Sequence, residues 1–203
     1  MKPIERGEVL GLADYETIRE RFRARVVGEK KLRRVALGPN VTVVFENRDT
    51  VLLQIQEMLR TERITREAAI VHEIETYNQL VPARDELSCT LMIEVIDIAE
   101  RDALLVAAKG FERHVAIVIA GVPFPAMWDK TRELEDRASA VHYLKFPLSE
   151  RAADSLRNAA KGTETMTQAL LTVDHPAYKA RAALPAETIV SLAEDLVIEQ
   201  SGG

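Results

Sequence analysis

SCTLMIEV, residues 88–95, is followed at once by Asp97 and Glu100 in capping-box spacing and by a helical run that closes at Gly110. Read outward, this stretch decides the fold. A strand enters a capped helix, and HVAIVIA, residues 114–120, supplies a second strand beyond the glycine. A loop rich in Pro and charge fills 121–137. The alternation then returns in a strand over 138–146. Ser149 caps a helix expected to end at Gly162, and 165–173 reads as a last strand.

The order is β-α-β-β-α-β, which is the ferredoxin-like pattern. The chain is therefore expected to be an α+β protein. Its single antiparallel sheet should run in the order 4-1-3-2, with helices 98–110 and 150–161 on one face. An internal echo supports a pseudo-twofold duplication. Glu100-Arg101 precedes Ala107-Ala108-Lys109-Gly110, and Glu150-Arg151 precedes Ala159-Ala160-Lys161-Gly162. Each half needs a helix-ending glycine; short matches between Ala-rich helices also arise by chance.

The first 85 residues read as a mostly helical layer with one strand. Leu12, Tyr15, Ile18, Phe22 and Val26 recur at helical spacing over 12–27, and Gly28 reads as the helix end. Gly38-Pro39-Asn40 makes a turn, and Val41 to Glu46 alternates as a strand. Asn47 suits an N-cap for a helix over 48–61, with Asp49 in its first turn. A further helix covers about 65–78, and Pro82 begins a boundary. The expected organisation is thus a layer over 1–85, the ferredoxin-like unit over 86–178, and a C-terminal helix and tail over 179–203. Ile189, Leu192, Ala193 and Leu196 form the apolar face of that helix.

Composition sets the outer limits. At 203 residues, a chain can bury roughly 70% of its unfolded surface, so a core needs no staples. The formal charge of −5 argues against a nucleic-acid duplex, whose affinity comes mostly from phosphate neutralisation. With Cys89 as the single cysteine, no disulfide framework or four-cysteine cluster can form within one chain. No run approaches a bilayer span and no signal peptide is visible, so the expected compartment is the cytoplasm. Homo-oligomerisation stays open.

No phosphate-binding glycine loop, dinucleotide fingerprint or Gly-x-Ser-x-Gly elbow occurs. His72-Glu73 begins like a zinc-protease helix, but Thr76 stands where the second histidine belongs. The unusual feature is a polar stripe on the second helix: Asn47, Thr50, Gln54, Glu57 and Thr61, without Lys or Arg. Amides and hydroxyls beside a core suggest either a pocket wall or a capped helix with polar boundary positions. Residues three apart on a helix are neighbours. One cavity lined by Glu46, Asn47, Gln54, Glu57 and His142 is therefore the candidate ligand site. Glu46, Glu57, Glu94, His142 and His175 are the candidate ligands for a metal such as iron or zinc. A lone histidine on an apolar strand is more often a hydrogen-bonded core residue, and Asp174-His175-Pro176 more often a turn. Arg19, Arg21, Arg23, Arg25, Lys30, Lys31, Arg33 and Arg34 form a basic segment. It reads as a solvated face or as a dock for an acidic partner.

Several of these stretches together resemble one bacterial family, the domain of unknown function 3501. They are Phe45-Glu46-Asn47 through Thr50 into Gln54-Ile55-Gln56-Glu57-Met58-Leu59-Arg60, then Tyr77-Asn78, Ser139-Ala140-Val141-His142-Tyr143, and Asp174-His175-Pro176-Ala177-Tyr178. The similarity runs from Leu12 to about Leu196, with no departure in these motifs. The family brings no established activity. The resemblance implies a role in redox or peroxide-stress metabolism, with a rubrerythrin or an iron–sulfur oxidoreductase of the heterodisulfide-reductase type as partner. The expected function is thus an accessory or ligand-binding component of such a system. The alternative is a small-molecule enzyme with a mononuclear metal or acid–base site.

Overall fold

The structure is a computed structural model that describes residues 1–161 and 168–196. The expected helix end at Gly162, the start of the strand at 165 and the tail at 201–203 lie outside the described residues. Helix α1 covers Leu12–Leu32, followed by strands β1 (Arg34–Ala36) and β2 (Val41–Glu46) and helices α2 (Arg48–Thr61) and α3 (Glu67–Asn78). Then come β3 (Glu86–Ile93), α4 (Ile98–Ala107), β4 (Val115–Ile119) and β5 (Val122–Pro125). Strand β6 (Val141–Pro147), α5 (Glu150–Ala160), β7 (Ala169–His175), β8 (Tyr178–Ala183) and α6 (Ala186–Asp195) complete the order.

The fold is α+β, and the described residues form two four-stranded sheets, β1-β2-β3-β6 and β5-β4-β7-β8. Every strand pairing is antiparallel. This differs from the single ferredoxin-like sheet expected above. The two central strands, β3 and β6, do pair. The outer edge of β3, where the last strand of a 4-1-3-2 sheet would lie, is instead occupied by β2, with Glu46 opposite Ser88 and Val44 opposite Thr90. Excluded from that position, β7 pairs with β4 in the second sheet. The expected boundary at 85/86 therefore falls inside the first sheet, between β2 and β3.

Three strands, β1, β5 and β8, hide in segments that read as loops. Strand β5 carries Pro123 and Pro125, which an edge strand tolerates because one side of it makes no ladder. Its hairpin turns through Ala120 and Gly121, both with positive φ (49° and 82°), as a two-residue primed turn requires. Strand β8 has alternating exposed positions and forms a hairpin with β7 around Pro176-Ala177. Helix α1 runs on through Gly28, whose side faces open space; an exposed glycine costs a helix only about 1 kcal/mol.

Strand alternation splits the first sheet's residues between two environments. Val43, Phe45, Leu87, Cys89, Leu91, Leu144 and Phe146 point inward, to a core shared with Ile117, Ile119, Leu171 and Val173 of the second sheet. Leu105 of α4, Ala153 and Leu156 of α5, and Ile189 and Leu192 of α6 join that core. The outward face lies under the helical layer, where Val51, Ile55, Leu59, Ile70 and Ile74 form a second cluster with Tyr143 packed against it.

The duplication suggested by the sequence has a counterpart here. The units β3-α4-β4-β5 and β6-α5-β7-β8 have the same element order. Equivalent strands pair antiparallel, β3 with β6 and β4 with β7, and the second sheet's order reads the same under exchange of the units. The first sheet breaks the symmetry. Strand β2 covers β3, whereas among the described residues the equivalent edge of β6 receives one bridge, Met127 to Lys145.

Candidate functional site

The polar stripe of α2 divides among three neighbours. Asn47 and Thr50 form a reciprocal capping box: the Thr50 N–H donates to Asn47 Oδ1 at 2.9 Å, and the Asn47 N–H to Thr50 Oγ1 at 2.9 Å. Asn47 Nδ2 also donates to Glu29. Glu46, 2% exposed, accepts from Thr50 Oγ1 at 2.5 Å and Thr90 Oγ1 at 2.7 Å, with Lys30 Nζ at 3.8 Å. Glu57 turns toward α1. It accepts from Tyr15 Oη at 2.6 Å and is held by Arg19 through two bonds of 2.8 Å. The Arg19 guanidinium, aided by Tyr15, holds its carboxyl below the usual range against the cost of burial. Gln54 turns the other way, toward Tyr77 of α3.

The expected single cavity is thereby dispersed. Glu46 lies on the outward face of β2 and His142 on the inward side of β6, because Val43, Phe45, Leu91 and His142 share one parity across the register. Glu57 shares no partner with either. The candidate metal ligands spread further. Glu94 is exposed on the chain beyond β3. His175 is buried, with Nδ1 accepting from the Ala177 N–H at 3.1 Å. The proton is then on Nε2, 3.1 Å from the Lys109 carbonyl, so both ring nitrogens are used. Among the described residues, no three His, Cys, Asp or Glu side chains converge to hold a metal ion. The basic segment is partly consumed within the fold: Arg33 is fully buried against Asp195, Arg19 holds Glu57, and Arg25 reaches Asp49 at 2.5 Å.

His142 differs from His175. It is 8% exposed, its ring stacks 5.8 Å from Phe111, and its Nδ1 lies 3.6 Å from Glu112 Oε2. Burial pushes its pKa down, against the Glu112 carboxylate and the Ser139 backbone, which favour the charged ring. A proton on Nδ1, facing the Glu112 carboxylate, leaves Nε2 as a lone-pair acceptor, and Nε2 is buried without a partner among the described residues. The hydroxyl of Ser88, 2% exposed, is also buried and has no partner among the described residues.

Both orphan atoms belong to residues lining one cleft of about 610 Å³. It wraps the open edge of β6, with residues of both faces in its walls. On the outward side stand Tyr77, Leu80, Ser88, Tyr143 and Lys145, with the Arg132 guanidinium 5.2 Å from the Tyr143 ring centre. On the inward side stand His142, Glu112 and Trp128, whose ring packs against the shared core and whose Nε1 donates to Glu133 at 2.6 Å. The 127–139 loop roofs the cleft. Lys145 Nζ is occupied by Glu86 Oε1 at 2.8 Å, and Glu133 is also held by Arg113 at 2.6 Å.

Of the expected ligand residues, His142 lines this cleft and Gln54 stands behind its Tyr77 wall. Ser88, Glu112, Trp128 and Lys145 escaped the sequence reading. The sole tryptophan, set in a polar loop, and the family-motif tyrosines Tyr77 and Tyr143 were the signals that could have found the cleft.

An α+β protein of two antiparallel sheets, with a roofed cleft over one strand edge, is the class these features define. Residues 3–196 match the family described as protein of unknown function (DUF3501), and the chain belongs to that family. A crystal structure described as a novel protein of unknown function from Burkholderia pseudomallei K96243 is similar to it. The two are 32% identical with a TM-score of 0.87, over 97% of this chain and 100% of that one. No curated protein matches the chain.

Proposed function

We propose that this protein binds a small ligand in the β6-edge cleft, with a hydrogen-bond donor of the ligand on His142 Nε2. The observation that carries this reading is the buried, unpartnered Nε2 at the wall of a cleft of ligand size. An orphaned buried acceptor costs about 1–3 kcal/mol and calls for a partner, and ligand pockets pair apolar walls with a few placed polar groups. Trp128, Tyr77 and Tyr143 supply apolar walls, and Ser88 Oγ supplies a second polar contact.

A second reading, acid–base chemistry, is favoured by Glu112. A proton passed from the ligand to Nε2 would create an imidazolium whose charge Glu112 stabilises from behind. The redox-accessory role, the rubrerythrin or iron–sulfur oxidoreductase partner, a bound metal and the cytoplasmic setting rest on the sequence reading and the family resemblance. Cys89 adds no support, since it is fully buried and burial, then Glu46, push its thiol up and away from reactivity.

The sole tryptophan provides the test. A panel of small alcohols, phenols and amides is titrated while Trp128 emission and the melting temperature are followed. At least one class should raise the melting temperature and shift the emission, and His142→Phe should abolish both effects. Binding that leaves Trp128 unmoved, or that survives His142→Phe unchanged, sinks the reading, as does a panel with no binder.

A further inference from the structure

The open edge of β6 has its own chemistry. In the pairing of β3 with β6, the Ile93 N–H donates to the Ala140 carbonyl at 2.8 Å. Antiparallel ladders alternate bonded and non-bonded pairs, so His142 and Leu144 face β3 with their backbone groups. Val141, Tyr143 and Lys145 then turn their backbone groups to the outer edge. Lys145 confirms the parity: it exchanges both bonds with Met127, at 2.7 and 2.8 Å. The Val141 N–H is taken by Ser139 Oγ at 3.2 Å. After its single bridge the chain leaves the edge for the short helical turn Lys130–Arg132. The N–H and C=O of Tyr143 are left facing the cleft with no strand of the described residues opposite.

Three observations converge on this position. The cleft has a wall on each side of the sheet, where an added strand would send alternate side chains. Each side holds one orphan polar atom, Ser88 Oγ outward and His142 Nε2 inward. Within the pseudo-twofold repeat, the vacant edge of β6 is the counterpart of the edge of β3 that β2 fills.

We infer that the ligand of this cleft is a short extended peptide, paired antiparallel with β6 at Tyr143 and presenting a hydroxyl side chain to His142 Nε2. The inference rests on the cleft reading above and names its ligand class. The residue opposite Tyr143 exchanges both backbone bonds with it and points its side chain to the outward side of the cleft, the side of Tyr77 and Leu80. Its two neighbours point inward, where a Ser or Thr hydroxyl donates to the neutral imidazole. The direction follows from β2, which lies antiparallel to β3, and from the antiparallel Met127 bridge. Main-chain pairing gives the affinity and the two walls give the selectivity.

The probe is acetyl-Thr-Ala-Thr-amide, titrated to millimolar concentration into the full-length ¹⁵N-labelled protein, beside the same peptide N-methylated at alanine. The Tyr143 amide and the His142 Nε2 resonances should shift saturably. N-methylation, which deletes one backbone donor, should weaken binding about tenfold. No shift at Tyr143, or equal shifts with the N-methylated peptide, overturns the inference. A Tyr143 shift that follows protein concentration without peptide also overturns it, by assigning the edge to a second copy of the chain. A phenol that moves Trp128 while the tripeptide moves nothing overturns the peptide inference alone. A peptide that pairs with Tyr143 and leaves His142 unmoved overturns the assignment of His142 as acceptor and retains the edge.

Discussion

At the scale of single residues, buried polar groups differ by whether their bonds are complete. Glu46 is nearly saturated by Thr50 and Thr90, so its burial is a structural feature. Thr90→Val should leave one carboxylate oxygen short of a donor and cost about 1–3 kcal/mol, read as a lower urea midpoint. Cleft binding should be untouched. His142 is the incomplete case, and its depressed pKa makes a statement about pH. The unfolded chain takes up a proton on this histidine near pH 6.5, whereas the folded chain does so only at lower pH. Between those values the unfolded state binds more protons, so stability falls as pH drops through that window and levels off below it. His142→Gln should flatten this part of the profile of midpoint against pH. A slope that persists in the variant would assign the loss to another group. Glu57, held low by Arg19, contributes in a separate, more acidic window. Its stabilisation is present above the ordinary glutamate value and disappears as pH falls through its folded value.

At the scale of elements, helices were more legible than strands. Capping residues Asn47, Asp97 and Ser149 all accept the expected backbone bond at their helix starts, because caps are local chemistry. Strands β1, β5 and β8 escaped notice because edge strands need neither a long apolar run nor freedom from proline. The cleft was legible only at His142 and, one step back, at Gln54. Its other walls come from segments far apart in sequence that only the sheet register brings together. The turn between β1 and β2 shows how such long-range contacts fix a local choice. Gly38 has φ 80°, and a Cβ there would sit 2.6 Å from Tyr178 Oη. That hydroxyl donates to the Leu37 carbonyl at 2.7 Å and accepts from the Asn40 N–H at 3.2 Å. The family motif ending at Tyr178 thus reads as a clamp between the two sheets. Gly38→Ala combines a left-handed alanine with a displaced tyrosine, and should cost on the order of 1–3 kcal/mol. Tyr178→Phe removes the clashing hydroxyl together with its two bonds, so Gly38→Ala should lower the melting temperature less in the Tyr178→Phe background than in the native chain.

At the scale of the whole molecule, the helical layer and the C-terminal helix are joined through one buried ion pair. Arg33, at the end of α1, is fully buried. It donates to both Asp195 oxygens at 2.7 Å and to the Ser191 carbonyl at 2.9 Å, and Thr188 Oγ1 of α6 donates to the Leu32 carbonyl at 2.6 Å. Glu29 lies 3.4 Å from Arg33 Nε and also receives the Asn47 amide. The network therefore runs from α6 through α1 to the cap of α2. The basic segment, which reads as a solvated face or a dock, thus places one of its arginines where charge reversal would test folding before it tested docking. Desolvation takes back most of what such a pair gains, whereas removing one partner strands the other in the interior. Arg33→Met and Asp195→Leu should each cost about 3–5 kcal/mol, seen as a large fall in the urea midpoint. The double variant should regain most of that loss, because it leaves two apolar side chains beside Leu192 and Leu196 and no uncompensated charge. Strict additivity of the two single losses would mean that Arg33 and Asp195 act independently, and that α6 is held by its apolar face alone.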